Sequence, residues 1–115
     1  MEALCHMTIS IARDYTPRPG PRFRKQGPKS GEEFRESILE PKFKEAQAKG
    51  DKILVDLDGG YGYGTSFLEE SFGGLARIHG IDSVQKTLDF KSEEEPYLIE
   101  DVKRYIRDCR GKDKK

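Results

Sequence analysis

Two adjacent hydroxyl residues, Thr65 and Ser66, follow a strand-like run at 52–58 and a glycine-rich turn at 59–64. In open α/β folds, ligands and reactive groups usually lie at the carboxyl end of a strand, where the chain continues into a helix. The first backbone N–H groups of such a helix also favour an anion. These residue types at this spacing are suited to phosphate binding, to nucleophilic catalysis or to phosphorylation of the hydroxyls.

Nucleotide binding is the first interpretation of the turn. Gly59 and Gly64 have the G-x-x-x-x-G spacing of a phosphate loop, but Thr65 stands where that loop requires lysine. Asp56 and Asp58 would repel the phosphate groups. The sequence therefore does not favour a nucleotide, and we predict no cofactor.

Nucleophilic catalysis is the second interpretation. Ser66 has no G-x-S-x-G elbow around it, and His79 lies almost four turns further along the same predicted helix. The neighbouring Glu69 and Glu70 are typical of a charged first helical turn. We therefore predict that the chain is not an enzyme. A small-molecule or phosphate-binding enzyme domain at the glycine-rich turn stays an alternative.

Phosphorylation is the third interpretation. A phosphate on Thr65 or Ser66 would add nearly two negative charges beside Glu69 and Glu70, and a docked partner would be repelled. The helix dipole tolerates that charge, so the fold would persist. The competing structural interpretation is that one hydroxyl only caps the helix, with Ser66 and Glu69 forming an S-x-x-E capping box.

The composition disfavours several classes of protein, among them membrane-spanning, secreted and zinc-binding ones. The 115 residues carry 21 basic and 21 acidic side chains, and no apolar run approaches the ~20 residues that cross a bilayer. Residues 1–7 lack the basic start and apolar stretch of a signal peptide, so we expect a cytoplasmic protein. Cys5 and Cys109 are too far apart in sequence for a zinc motif, and no metal site is predicted.

Hydrophobic periodicity and turn residues divide the chain into alternating elements. Helices between strands imply a largely parallel sheet. We predict a single α/β domain at 7–110, with a small mixed sheet of three to five strands, an extension at 1–6 and a charged tail at 111–115. The predicted strands are at 8–12, at 52–58 and at 84–90, and the second is buried on both faces. A proline-rich loop at 16–31 precedes a helix that begins at a Ser30–Glu33 capping box, restarts at Pro41 and ends at Gly50. Two further helices are predicted, one from Ser66 to Gly80 and one from Pro96.

Positive charge is concentrated in the proline-rich loop, because residues 13–29 hold six basic side chains and one acidic one. Arg18, Arg22 and Arg24 could grip nucleic-acid phosphates while Phe23 stacks on a base, which makes a nucleic-acid-binding module an alternative. The zero net charge and the absence of a nucleic-acid-binding signature disfavour that alternative.

The loop could also reach the glycine-rich turn. Arg22 would then pair with Asp56 or Asp58. Tyr61 and Tyr63, at the turn, are predicted to contact a partner, because tyrosine is enriched in interface cores.

Four segments of the chain together form a distinctive pattern. They are Pro19-Gly-Pro-Arg22, Ser30-Gly-Glu-Glu-Phe-Arg35, Val55-Asp-Leu-Asp58 and Gly62-Tyr-Gly-Thr-Ser-Phe-Leu-Glu-Glu-Ser-Phe-Gly-Gly-Leu75. This pattern resembles a known family, the STAS-like domains (DUF4325), distant relatives of bacterial anti-sigma factor antagonists. The resemblance spans most of the chain and supports the predicted α/β fold.

The resemblance implies a non-catalytic regulator that binds a histidine-kinase-like ATPase, without membrane or nucleic acid, as a monomer or weak dimer. Counted from Asp56, Thr65 and Ser66 fall on the two serines at the antagonists' helix start, so Thr65 matches the residue that an anti-sigma kinase phosphorylates. Gly64 and Phe67 differ from the acidic residue and the glycine that flank those serines. The predicted partner-binding residues are Asp56, Asp58, Tyr61, Tyr63, Phe67, Glu69, Glu70, Arg18, Arg22 and Arg24.

Overall fold

A computed structural model describes residues 6–109, with the side chains described from Met7 onward. Strands and helices alternate along the chain, as the sequence predicts. They are β1 (His6–Ser10), α1 (Ile11–Asp14), α2 (31–49), β2 (Lys52–Asp56), α3 (65–79), α4 (Ile81–Thr87), β3 (Leu88–Lys91) and α5 (Tyr97–Arg107).

The three described strands form one sheet in the order β1-β2-β3, and both pairs are parallel. The connections between them carry the helices, as parallel pairing requires. These observations confirm the predicted α/β class and the parallel sheet. They also place the segment after β2, with the glycine-rich turn, at the carboxyl edge of the central strand.

The helices cover one face of the sheet. Ile9 and Val55, paired across β1 and β2, are fully buried in the core beneath the helices. In the adjacent row, Thr8 and Asp89 are exposed and Leu54 is half-buried. The prediction that β2 is buried on both faces is therefore wrong, because its alternate side chains point to a face that no helix within residues 6–109 covers.

Helix α3 is the centre of the helical layer. Every residue from 67 to 76 is buried, including the acidic residues in that stretch. Helix α2 packs on one side, where Gly31 lies against the backbone of Phe67, and α5 approaches Gly73 from another. The sheet supports it from below, where the Phe72 ring meets Phe90 edge-on at 5.4 Å.

Helices α2 and α3 share an unusual feature. Each changes from α-helical to π-helical hydrogen bonding for five residues, at Arg35–Leu39 and at Glu69–Gly73. Such turns are rare and are often found at functional sites. In α2, α-helical hydrogen bonding resumes at Glu40, one residue before the predicted restart at Pro41, and the helix continues through the proline.

The ends of α2 follow the local signals in the sequence. The Ser30 Oγ accepts the backbone N–H of Glu33 at 3.0 Å, which confirms the Ser30 side of the predicted capping box. Gly50 ends the helix in the left-handed conformation at φ 73°.

The boundaries of all three predicted strands are wrong. The second strand, predicted at 52–58, ends at Asp56. The first strand ends at Ser10, because the Ser10 Oγ accepts the N–H of Arg13 and starts the short helix α1. The segment predicted as strand 84–90 is helical up to Thr87, and only Leu88–Lys91 is extended. Val84, Thr87 and Leu88 are buried at the three- and four-residue spacing of a helix. The apolar residues alone, Val84, Leu88 and Phe90, would also share one face of a strand.

The proline-rich segment is an irregular hairpin tied to the body of the molecule. Its two arms are joined by a hydrogen bond from the N–H of Gly20 to the carbonyl of Lys29 at 2.9 Å. A further bond, from Gly31 to Pro21 at 2.9 Å, fixes the hairpin to the start of α2. We call residues 17–29 the basic hairpin.

Candidate functional site

The two hydroxyls lie at the start of α3. Gly64 is the N-cap, in extended conformation, so Thr65 and Ser66 are the first two helical residues, and both are exposed. The helix start has no side-chain cap. The predicted Ser66–Glu69 capping box is therefore wrong, because Gly64 occupies the cap position and the Glu69 carboxylate is turned inward.

Asp58 stabilises the loops at this edge of the sheet through its hydrogen bonds. Its carboxylate accepts the backbone N–H groups of Glu93 at 3.0 Å and Glu94 at 2.9 Å, and Lys91 lies 3.4 Å away. The two backbone hydrogen bonds, followed by Lys91, hold the pKa of Asp58 below its usual value. Asp56 accepts the N–H of Asp58 at 2.9 Å. Both aspartates therefore have structural partners that brace the turn against the loop after β3.

The two tyrosines of the turn differ in exposure. The Tyr61 side chain is 76% exposed, and the Arg18 guanidinium carbon lies 4.6 Å from its ring centroid. The Tyr63 hydroxyl donates to the carbonyl of Leu57 at 3.0 Å, and its ring packs on Phe67. Burial, followed by the nearby carboxylates, raises the pKa of Tyr63. Tyr61 is thus open to a partner, whereas Tyr63 mainly supports the turn.

The basic hairpin does reach the glycine-rich turn. The N–H of Tyr61 donates to the carbonyl of Pro17 at 2.8 Å, and a Cβ at Gly60 would lie 3.1 Å from that oxygen. Together with the Arg18–Tyr61 stacking, these contacts place the hairpin and the turn in one continuous surface. We call this surface, from Pro17–Arg18 through residues 59–66, the turn surface.

A cavity of about 250 Å³ opens beside Thr65, between the turn and α5. Tyr63 and Tyr105 contribute to its walls, and Glu95 and Asp101 add carboxylates. The cavity is large enough to leave Thr65 accessible. Its carboxylates would repel a free phosphate ion, so the cavity is not a phosphate-binding site.

A buried ion cluster lies one turn further along α3. The Glu69 carboxylate accepts from Arg22 at 2.6 Å and from Arg77 at 2.7 Å, while Glu70 pairs with Arg35 at 3.0 Å. Burial alone would raise the pKa of Glu69, but the hydrogen bonds from Arg77 and Arg22 outweigh it, and the pKa is lowered. We call these five residues the arginine–glutamate cluster.

The cluster corrects the predicted partners of Arg22. Its guanidinium was expected to pair with Asp56 or Asp58, but it pairs with Glu69 and lies 3.4 Å from Glu70. The reason is geometric: the basic hairpin crosses the side of α3, where Glu69 and Glu70 need a cation. The two aspartates already have backbone N–H groups and Lys91.

Two adjacent glycines make room for the cluster. A Cβ at Gly73 would lie 2.7 Å from the Glu69 carboxylate, and a Cβ at Gly74 would lie 2.9 Å from Arg35 Nε. The same Nε donates to the backbone carbonyl of Glu70 at 3.2 Å, inside the π-helical turn. A Cβ at Gly73 would also lie 3.2 Å from the carbonyl oxygen of Tyr105, so this glycine allows α5 to approach α3 closely.

Comparison with protein-family models matches residues 30–98 to the STAS-like domain of unknown function (DUF4325). The chain belongs to this family. Neither curated proteins nor solved structures gave a match. In this STAS-like domain, three of the segments that suggested the family meet in the arginine–glutamate cluster. They supply Arg22, Arg35 and the Glu69–Glu70 pair, so much of the resemblance reflects packing around α3.

Burial also corrects part of the predicted partner surface. Phe67 is fully buried, Glu69 is 1% exposed and Glu70 is 7% exposed. These three side chains face the helical layer of the STAS-like domain and are closed to a docked protein. Arg24 is on the surface, where it pairs with Glu36 at 3.0 Å. Its exposed guanidinium belongs to the hairpin side of α2.

Sequence reasoning missed Arg35 and Arg77, which hold the two glutamates. A signal was present: Glu69 and Glu70 interrupt a run whose neighbours, Phe67 to Ala76, are otherwise small or apolar. A helix that is apolar on all sides is buried, and buried carboxylates need cationic partners. That combination demands arginines from elsewhere in the chain.

The histidine that the sequence analysis considered as a base is remote from the two hydroxyls. His79 pairs with Glu40 at 2.7 Å and packs on Phe43, at the far end of α3 from Thr65. Among residues 6–109, no group of three potential metal ligands converges. Within the same residues, no helix is long and apolar enough to cross a membrane.

Proposed function

We propose that this STAS-like domain is a non-catalytic regulatory module that binds a protein partner through the turn surface. Phosphorylation of Thr65 or Ser66 then releases that partner. The supporting observation is the pair of adjacent, exposed hydroxyls on the first turn of α3, at the carboxyl edge of a parallel sheet. The partner, by resemblance to the antagonists, is a histidine-kinase-like ATPase that also transfers the phosphate.

The shape of the turn surface supports protein contact. Tyr61 projects from it with Arg18 stacked on the ring, and aromatic and arginine side chains are the commonest anchors of protein interfaces. The turn beneath is fixed by Asp58, by Tyr63 and by the bond from Gly59 to Glu94 at 3.0 Å. A braced turn binds with a smaller loss of conformational entropy than a mobile one.

The switch follows from the position of the hydroxyls. A phosphate on either hydroxyl adds nearly two negative charges, and the helix N-terminus tolerates them. The fold is therefore expected to persist. A partner that fits against the neutral hydroxyls would have to bury the added charge without a cation for it, and such burial is costly. Binding is weakened while the domain stays folded.

The alternative functions have less support. Arg22 is held in the arginine–glutamate cluster and Arg24 pairs with Glu36, so two of the three arginines proposed for nucleic-acid phosphates already have carboxylate partners. The enzyme alternative requires a base near Thr65 or Ser66. His79 lies at the opposite end of the helix, so that alternative would have to use a carboxylate of the cavity beside Thr65.

The test compares partner capture by the wild-type chain, Thr65→Glu and the matched control Thr8→Glu, which makes the same change at an exposed threonine in β1. Immobilised proteins are incubated with lysate from the native cell, and bound proteins are identified by mass spectrometry. Thr65→Glu is expected to retain an ATPase partner at least about tenfold less well, since one added buried charge exceeds that factor. Thr8→Glu is expected to retain it fully.

Phosphorylation is tested separately with the captured ATPase and ATP. We expect one phosphate on the tryptic peptide that contains Thr65 and Ser66, and none when both are replaced by alanine. Equal capture by wild type and Thr65→Glu would contradict the switch. Loss of capture together with a lowered thermal midpoint would assign the effect to unfolding instead.

A further inference from the structure

Strand β3 is an edge of the described sheet. It pairs with β2 on one side, and no strand within residues 6–109 pairs with its other side. The backbone groups that face outward can be identified from the register. The carbonyl of Lys91 accepts the N–H of Leu57 at 2.8 Å and therefore faces β2. Successive peptide groups alternate, so the N–H and carbonyl of Phe90 face outward.

The side chains of β3 are divided between the two faces of the sheet. Asp89 and Lys91 lie on the face without helices, and they are 52% and 41% exposed. Leu88 and Phe90 lie on the helical face. There a groove of about 280 Å³ separates β3 from α5, with Ile106 as an apolar wall and two basic side chains of α5 beside it. The edge thus combines outward-facing backbone groups, a partly apolar groove and two opposite charges two residues apart.

We infer that the outer edge of β3 binds a second copy of this chain, through antiparallel pairing of the two β3 strands about a two-fold axis at Phe90. In this register each Phe90 exchanges both backbone hydrogen bonds with its copy. Asp89 of one copy lies directly opposite Lys91 of the other, and the reverse pair forms across the axis. Opposite charges at directly facing positions stabilise a strand pair.

Neighbouring registers fail on the same criteria. A shift by two residues places Asp89 opposite Asp89, or Lys91 opposite Lys91, and like charges at facing positions destabilise the pair. A shift by one residue sets outward peptide groups of one copy against inward-facing groups of the other. Charge pattern and backbone direction therefore select the same single register, which is an argument for self-pairing rather than for an arbitrary strand.

The dimer is expected to be weak. β3 has only four residues, so the interface falls below the size of stable protein–protein interfaces. Lys91 also keeps its contacts with Asp58 and Asp56 at 3.4 and 3.8 Å. Dimerisation is therefore expected only at high protein concentration.

The test uses charge variants of the edge in the full chain. Sedimentation equilibrium of the wild type is expected to show a mass rising from 13.1 kDa towards twice that value as the concentration approaches about 1 mM. Asp89→Lys places lysines opposite lysines, and Lys91→Asp places aspartates opposite aspartates. Each variant alone is expected to dimerise at least about tenfold more weakly than the wild type.

The decisive measurement is the mixture of the two variants, because it restores opposite charges at both facing positions. The mixture is expected to form a heterodimer with roughly the affinity of the wild type. The control Glu45→Lys makes the same charge change on an exposed position of α2 and should dimerise normally. A wild type that stays at 13.1 kDa up to about 1 mM overturns the inference, as does a mixture no more dimeric than its components.

Discussion

Replacing Glu69 by glutamine tests whether the arginine–glutamate cluster holds the helical layer together. The substitution keeps the size of the side chain and removes its charge. Arg22 and Arg77 would then lose the carboxylate that accepts their hydrogen bonds at 2.6 and 2.7 Å. The amide oxygen still accepts one hydrogen bond, whereas the amide nitrogen is a donor and faces a donor.

The expected cost follows from the burial of the pair. Breaking a fully buried ion pair by removing one partner costs roughly 3–5 kcal/mol. The side chain of Glu69 is 2% exposed. The side chains of Arg22 and Arg77 are 26% and 19% exposed, so water solvates part of each guanidinium. We therefore expect the free energy of unfolding to fall by about 2–3 kcal/mol. In a domain of this size that lowers the thermal midpoint by roughly 10–20 °C.

Urea unfolding followed by circular dichroism measures this change, first at neutral pH. The control is Glu45→Gln, which removes an exposed partner of Lys49 and should cost under about 0.5 kcal/mol. The pKa of Glu69 is lowered in the folded state. Its contribution is therefore present above the ordinary carboxyl pKa and is lost as the pH falls through the lowered one.

The difference between wild type and Glu69→Gln should accordingly shrink in acid. Two outcomes would refute the reasoning. The first is a variant as stable as Glu45→Gln at neutral pH. The second is a stability difference that stays constant as the pH falls well below the ordinary carboxyl range, because that would assign the loss to packing and not to charge.

Two further substitutions test the approach of α2 to α3 and the bracing of the turn. Gly31→Ala places a Cβ 2.6 Å from the carbonyl oxygen of Phe67, and urea unfolding should show a loss of about 1–3 kcal/mol in the free energy of unfolding. The control Gly64→Ala has open space around it and should cost far less. Equal costs would contradict the close approach of α2 to α3. Asp58→Asn weakens the acceptor of two backbone N–H groups and should cost about 1 kcal/mol at pH 7. Because the pKa of Asp58 is lowered in the folded state, that difference should vanish as the pH falls through it, and a difference unchanged in acid would count against the carboxylate.

Elements that depend on neighbouring residues were predictable from the sequence. The Ser30 cap, the left-handed Gly50 and the amphipathic helix from Pro96 each rest on interactions within one or two turns. The segment around Val84 was not predictable in this way, because its apolar spacing satisfies a helix and a short strand equally well. The helix begins directly after Gly80, whose φ of 101° turns the chain between α3 and α4.

The candidate site was predictable in location but not in its partners. The strand, the glycines and the hydroxyls identified the sheet edge, since all are consecutive in sequence. Arg22 and Glu69 are separated by 47 positions, and any nearby carboxylate would have satisfied the arginine equally well on charge alone. Which acid it meets depends on the path of the basic hairpin across α3, and that path is a property of the whole fold.

The π-helical turn in α3 has a consequence for how this helix can change length. It holds one residue more than an α-helical turn, so everything after it is rotated by roughly 100° relative to a continuous α-helix. Removing one residue from Glu69–Gly73 would restore the regular ladder but would swing Arg77 away from Glu69 and bring a side chain into the space of Gly73. The extra residue, the glycines and the arginines are therefore structurally coupled: a single-residue insertion or deletion here must alter the positions of all of them together.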